Sequence, residues 1–356
     1  MTRTVHKPVR WLAKILAREG YIVLVLELNR LFSLYNHTKA LVYREVLNLN
    51  DLAKYAAEGG QSDIVHYAIG RGANNINEIA QRAARGGHKE IVDDMIGRGA
   101  EDVDDIAFEA AHEGYKDIVD DMIALEAYDF NTIALQAAEG GHKNIVDDMI
   151  RQGADAYNWI ARVSAMGGYK DIVDDMIERG ADDMNDIARF AAGGGYKDIV
   201  DDMIERGAND FNTIAYFAAS KGHKEIVDDM IGRGAYDFGE IAFQAATRGH
   251  KEIVDDMIQN ALTVGPVPRT DFSFGRIARA AASEGHKDIV DDMIGWGVDD
   301  YDRIAAIAAE GGHKDIVMDM ISRGANNYDT VIHNATEAWH DDLARAVEEY
   351  VHKNGA

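Results

Sequence analysis

The chain has 356 residues, with 37 Lys and Arg against 62 Asp and Glu, a formal net charge of −25, no cysteine and three prolines. Such a length ordinarily makes two or three domains, and 47% hydrophobic residues supply a sizeable core, which excludes wholesale disorder. The missing cysteine excludes disulfides, thiolate metal sites and thiol nucleophiles, and the acidic balance excludes a sequence-independent grip on nucleic acid, which needs a basic surface.

Residues 1–50 depart from that balance, with eight Lys/Arg and three Glu. Trp11, Leu12, Ile15 and Leu16 fall on one helical face, with Arg10, Lys14 and Arg18 elsewhere. This reads as a helical cap shielding the first of a series of repeats, together with a degenerate copy. A membrane-surface anchor or a targeting segment is the alternative. The apolar run Tyr21–Leu26 is too short to span a bilayer, and no small-residue cleavage site follows it.

From residue 51 a Gly-His-Lys or Gly-Tyr-Lys tripeptide recurs, its middle residue falling at His88, Tyr115, His142, Tyr169, Tyr196, His223, His250, His286 and His313. The spacing is 27 except for 36 between His250 and His286, and steps of 27 outward reach Gln61 and His340, giving eleven anchors. Between anchors the pattern predicts two helices. In the copy from Phe130 to Gly153, Asn131 is expected to cap the first helix. Ile133-Ala134 and Ala137-Ala138 form its apolar stripe, and Gly141 stops it. The second helix runs from about Lys143 to Arg151, with Ile145, Val146, Met149 and Ile150 on one face. Nine of the thirteen methionines occupy the Met149 position, which marks it as core. An aromatic or aliphatic column before the first helix, Phe130, Tyr157, Phe211 and Phe238 among others, is expected to fill the seams between copies. A helix pair this short cannot bury both stripes alone, whereas stacked copies can. The predicted fold is therefore an all-α solenoid of about eleven stacked helix-turn-helix repeats.

The segment Ala137-Ala138-Glu139-Gly140-Gly141-His142-Lys143-Asn144-Ile145-Val146, with Gly153-Ala154 after the second helix, resembles the ankyrin repeat. The resemblance covers residues 51 to 327, with weaker copies outside. The period of 27 is shorter than the ankyrin unit of about 33 residues, and the missing residues are those of the protruding β-hairpin. Asn131-Thr132-Ile133-Ala134 also stands where the family has Thr-Pro-Leu-His. Arrays of this kind resemble those of large DNA viruses and intracellular bacteria. The resemblance implies a non-enzymatic scaffold that binds another protein on the concave face of its first helices. The acidic, cysteine-free composition without a secretory signal reads as an intracellular, cytoplasmic protein, inside a host cell if the likeness extends to origin.

Residues 259–276 break the period and contain Pro266 and Pro268, which cannot continue a helix. They are expected to form a loop outside the stack, either a tolerated insertion or a partner-contacting finger. Residues 51–258 and 277–351 then hold the repeats, the last stretch closing with a cap around Trp339, Leu343 and Val347.

Three columns compete for function. The Asp-Asp pair on each second helix, Asp147/Asp148 for example, has a Lys four residues before its first member. In several copies an Arg lies four after the second, which favours a solvated, ion-paired face. The alternatives are an acidic surface for a basic partner and, least favoured, a metal site. Adjacent helical residues diverge by about 100°, and hard cations want six or more oxygens. The histidine column admits tyrosine at Tyr115, Tyr169 and Tyr196, which a ligand or general base would not allow, so it reads as a turn element. Six residues before each anchor the sequence varies, reading Arg82, Glu109, Gln136, Val163, Phe190, Phe217, Gln244, Ala280 and Ile307. Val163, Phe190 and Phe217 are apolar in consecutive copies, with Met166 nearby and Arg162, Arg189 and Arg279 one residue earlier. These are the candidate partner-binding residues, unless that side of the helix is tucked against its neighbour. No catalytic, cofactor or metal residues are assigned. The expectation is a monomeric protein-binding adaptor without a transmembrane segment and without direct nucleic-acid binding. The alternatives are an acidic decoy or chaperone for a basic, nucleic-acid-associated protein, and a structural assembly component.

Overall fold

A computed structural model describes residues 14–20, 48–263 and 273–354. Among the described residues there is no strand, and the helices alternate as the repeat predicts. The fold is an all-α array of helix-turn-helix repeats. It divides into two compact units, Met1–Ala181 and Asp182–Ala356. The basic face at Arg10, Trp11 and Leu12 and the prolines of the insertion lie outside the described residues.

One copy shows how the sequence makes the unit. The first helix, Phe130–Glu139, buries Ile133, Ala134, Ala137 and Ala138, and the second, Lys143–Gln152, buries Ile145, Val146 and Met149. Ala137 and Ala138 are wholly inaccessible, so successive first helices approach without intervening side-chain bulk. In the first unit the first helices Val103–Glu113, Phe130–Glu139 and Tyr157–Gly167 pack in series. Met184–Gly194, Phe211–Lys221, Phe238–Thr247, Phe274–Glu284 and Tyr301–Glu310 do so in the second. Each second helix packs chiefly on its own first helix and stands farther from its counterparts.

Two sequence expectations change. Asn131 is not the helix cap. Phe130 already belongs to the helix, so the cap is Asp129, whose carboxylate accepts from Thr132 N at 3.1 Å. Asn131 instead reaches into the next repeat, its Oδ1 accepting from Asp155 N at 2.9 Å and Ala156 N at 3.0 Å. The same staple recurs from Asn212 to the amides of Tyr236 and Asp237, at 2.9 and 3.1 Å, and Asp104 and Asp302 make it with a carboxylate. The cap residue and the one before it need acceptors because their amides have left one helix and have not begun the next. The aromatic column is also less buried than expected. Phe238 is buried, but Phe130, Tyr157 and Phe211 are half-exposed, since they sit on the first turn at the edge of the stack.

At the start, Ala17 is fully buried, Arg18 lies 3.5 Å from Glu58, and Lys14 sits 4.7 Å from the Tyr55 ring centre. Residues 14–20 thus pack on the first helix Leu49–Glu58. Farther along, the second helix before the insertion is extended to Lys251–Thr263. The stack resumes in register beyond it, because Phe238–Thr247 packs on Phe274–Glu284 and Lys251 still pairs with Asp292.

Candidate functional site

Three surfaces were candidates in the sequence. The acidic ladder of the second helices is an ion-pair lattice. Lys197 lies 2.7 Å from Asp201 on its own helix and 3.5 Å from Asp229 on the next repeat's. Arg233 closes the ring, at 2.9 Å from Asp229 and 2.9 Å from Asp201. Lys287, Asp291, Arg323 and Asp319 repeat it with separations of 2.6 to 3.2 Å, and Lys143, Asp147, Arg179 and Asp175 form a looser one in the first unit. The side chains are long enough to bridge second helices whose backbones stand apart.

The titration of these groups follows the geometry. Burial alone would raise Asp319, but hydrogen bonds from Lys287 and Arg323 outweigh it and hold the carboxyl below its ordinary value. Lys287 is raised in turn, chiefly by its bond to Asp291. Carboxylates engaged in this way already have cationic partners. Among the described residues no group of three His, Asp or Glu side chains converges as a metal site would require.

The histidine column builds the turns. His142 places Nε2 3.1 Å from the carbonyl of His112 in the preceding repeat, and His88 and His313 do the same to Glu58 and Ser283 at 3.2 and 3.0 Å. Each ring rests on the glycine of the turn before. Gly141 has φ +78, and a Cβ there would collide with the Tyr169 ring. A flat ring is what this seat accepts, which explains why tyrosine and histidine interchange.

The variable face of the first helices holds the candidate contact residues. In the second unit, Phe190 and Phe217 from adjacent first helices place their ring centres 6.1 Å apart, tilted by 37°. The Arg189 guanidinium lies over both, 5.2 Å from Phe190 and 5.1 Å from Phe217, and is held by Asp186 at 2.7 Å. The rings are half-buried, neither sealed against a neighbour nor fully free. Arg279 lies 3.8 Å from Asp300.

In the first unit, Arg162, Val163 and Met166 share the helix Tyr157–Gly167. Met166 is 49% exposed and Val163 half-buried, and Arg162 stacks 4.8 Å from the ring of Trp159, itself 56% exposed.

The structure adds residues that the sequence reading missed. Tyr216 and Phe243 occupy the Arg189 column of the next two repeats. Tyr216 donates its hydroxyl to Asp237 at 2.6 Å, and burial followed by that bond pushes the phenol far above its ordinary value. Arg276 lies 3.8 Å over the Phe243 ring and 2.7 Å from Glu240. Reading the 27-residue step one position earlier gives Arg162, Arg189, Tyr216 and Phe243 in sequence, so the signal was present. The face thus combines aromatic rings with arginines, the side chains that most often anchor protein interfaces. Among the described residues no helix is long and apolar enough to cross a membrane.

No family profile matches the chain, and no curated protein matches it. Among solved structures it is similar to the crystal structure of the human ASB11 ankyrin repeat domain, at 17% identity and a TM-score of 0.38, over 52% of this chain and 96% of that one.

Proposed function

We propose that this chain is a non-enzymatic scaffold that binds another protein through the exposed face of its first helices. The observation that carries this reading is the cluster of Phe190, Phe217 and Arg189 in the second unit. Two half-exposed rings share one guanidinium there, on positions that the repeat leaves free to vary. Repeat packing needs the Ile, Ala, Val and Met columns, not these. Arg162, Val163 and Met166, beside the exposed Trp159, supply a further apolar contact in the first unit. Partner binding there would cover apolar surface and use arginine as a planar donor at the rim.

The test is affinity capture from a cell lysate at low and raised salt, with wild type beside a Phe190→Asp/Phe217→Asp variant checked for folding by circular dichroism. Partners retained at raised salt and lost with the variant support the reading. Basic partners that leave with salt and ignore the variant would replace it with an acidic decoy or chaperone acting through the remaining surface charge.

A further inference from the structure

We infer that the segment held on the first-helix face of the second unit is acidic, a stretch of another protein that carries Asp or Glu beside apolar side chains. The inference rests on the scaffold reading above and adds the chemistry of what is bound.

First and second helices of this unit differ in charge. The second helices Lys197–Glu205, Lys224–Gly232, Lys251–Thr263 and Lys287–Gly295 each set one Lys against three or four carboxylates. The five first helices are balanced, with five cations against five carboxylates. In a chain of net charge −25 an acidic segment is repelled by the second helices and meets the least resistance on the first.

The arginines of that face stand where helix stability would not put them. Arg276 and Arg303 are each the third residue of a first helix, Phe274–Glu284 and Tyr301–Glu310, and these two helices pack on each other. The unpaired amides of a first turn favour a carboxylate there and oppose a cation. Asp51, Glu78, Asp105, Asp186 and Glu240 hold this position in other copies, and no Lys or Arg does. Repeat packing does not ask for the two arginines either, since Arg276 is 48% exposed and Arg303 is exposed. A local rule broken twice, in adjacent copies, points to a use outside the fold.

The carboxylates close by leave donors over. Arg276 gives Nη1 to Glu240 at 2.7 Å, with its guanidinium carbon 3.8 Å from the Phe243 ring centre. A guanidinium has five N–H groups, so most of those on Arg276 remain. Arg279, one turn on, lies 3.8 Å from Asp300, while Asp302 is taken up by the amides of Asn326 and Asn327 at 2.6 and 2.8 Å. Arg303 makes no ion pair among the described residues. Glu284 and Glu310 stand about two turns away, at the far ends of the same helices.

Phe190, Phe217 and Phe243 come from three successive first helices, and Arg276 on the next covers the last ring. Apolar side chains of the bound segment cover the rings, and its carboxylates reach the arginines beyond them. The rings supply affinity that salt leaves alone, and the arginines select the sign of the partner's charge.

The test is selection of random peptides displayed on phage against wild type, Arg276→Gln/Arg303→Gln and Phe190→Asp/Phe217→Asp, each checked for folding by circular dichroism. Peptides selected on wild type should be rich in Asp and Glu beside aromatic or aliphatic residues. The strongest of them, synthesised, should bind the arginine variant about ten-fold more weakly. Its analogue with Asn and Gln in place of Asp and Glu should bind wild type and the arginine variant alike. Selected peptides without acidic enrichment that are lost with the phenylalanine variant would overturn this inference and leave the scaffold reading standing. Acidic peptides that bind the phenylalanine variant undiminished would overturn the scaffold reading instead. Basic peptides, or no selected peptide at all, would overturn the inference from wild type alone, even if a variant fails to fold.

Discussion

Arg233 donates from one guanidinium nitrogen to Asp201, thirty-two residues earlier in the chain, at 2.9 Å, and from Nε to Asp229 on its own helix, also at 2.9 Å. One side chain thus ties two repeats whose second helices have little other contact. Each pair is about one-third exposed, which limits its strength. A double-mutant cycle of Arg233→Ala and Asp201→Ala, measured by urea unfolding, should give a coupling of about 0.5 kcal/mol, below ~1 kcal/mol, that shrinks in high salt. A coupling of zero at low salt would remove the lattice from the account of stability.

Ser164 stands in a column otherwise filled by alanine, at Ala137, Ala191 and Ala218 for example, and is fully buried with no hydrogen-bond partner for its hydroxyl. Ser164→Ala should stabilise the protein by about 1 kcal/mol, since it removes an unsatisfied polar atom and restores the column's own residue. Thermal unfolding checks it, and a lower midpoint would show that the hydroxyl has a role.

Asn212 accepts from two amides of the next repeat, so Asn212→Ala should cost about 1–2 kcal/mol. Asn212→Asp should be close to neutral, because Asp104 and Asp302 make the same staple with a carboxylate. Chemical unfolding of the two variants side by side separates loss of the acceptor from loss of the amide.

The helices, the buried columns and the flat-ring turn were legible because each depends on residues within one repeat, and eleven copies averaged out the accidents of any one. What was hidden depends on two repeats at once. The link from Asn131 to Asp155, or from Lys197 to Asp229, follows from how far one copy is displaced from the next. A repeating string states the period in residues and leaves that displacement open. Asn131 was misread as a cap for this reason: asparagine suits both tasks, and only the position of Phe130 inside the helix separates them. Of the candidate site, Phe190 and Phe217 were visible in one variable column. Tyr216 and Phe243 stand in the neighbouring column, where arginine gives way to aromatic residues and no run of one residue type draws the eye.

Asp94, Asp175 and Asp319 all titrate below the ordinary carboxylate value. For Asp94 the bond from Arg98 is the main cause, while in the other two hydrogen bonds from paired cations overcome burial. Folded carboxylates with depressed values bind protons less readily than unfolded ones. Their stabilisation is present above about pH 4 and is lost as pH falls through the folded values. Asp175→Asn/Asp319→Asn should therefore show a shallower fall in stability between pH 5 and pH 3 than wild type, in about that window. Parallel profiles would mean that these pairs do not contribute to acid unfolding.

The scaffold reading turns on whether the first-helix face holds the partner, and the most direct measurement is the dissociation constant of the captured partner for wild type and for Phe190→Asp/Phe217→Asp, each at low and raised salt. The account expects the variant to bind about thirty-fold more weakly or worse, the loss of at least one anchor worth ~2 kcal/mol, with wild-type affinity changing little with salt. A folded variant that binds as wild type does, with affinity that collapses as salt rises, would contradict it.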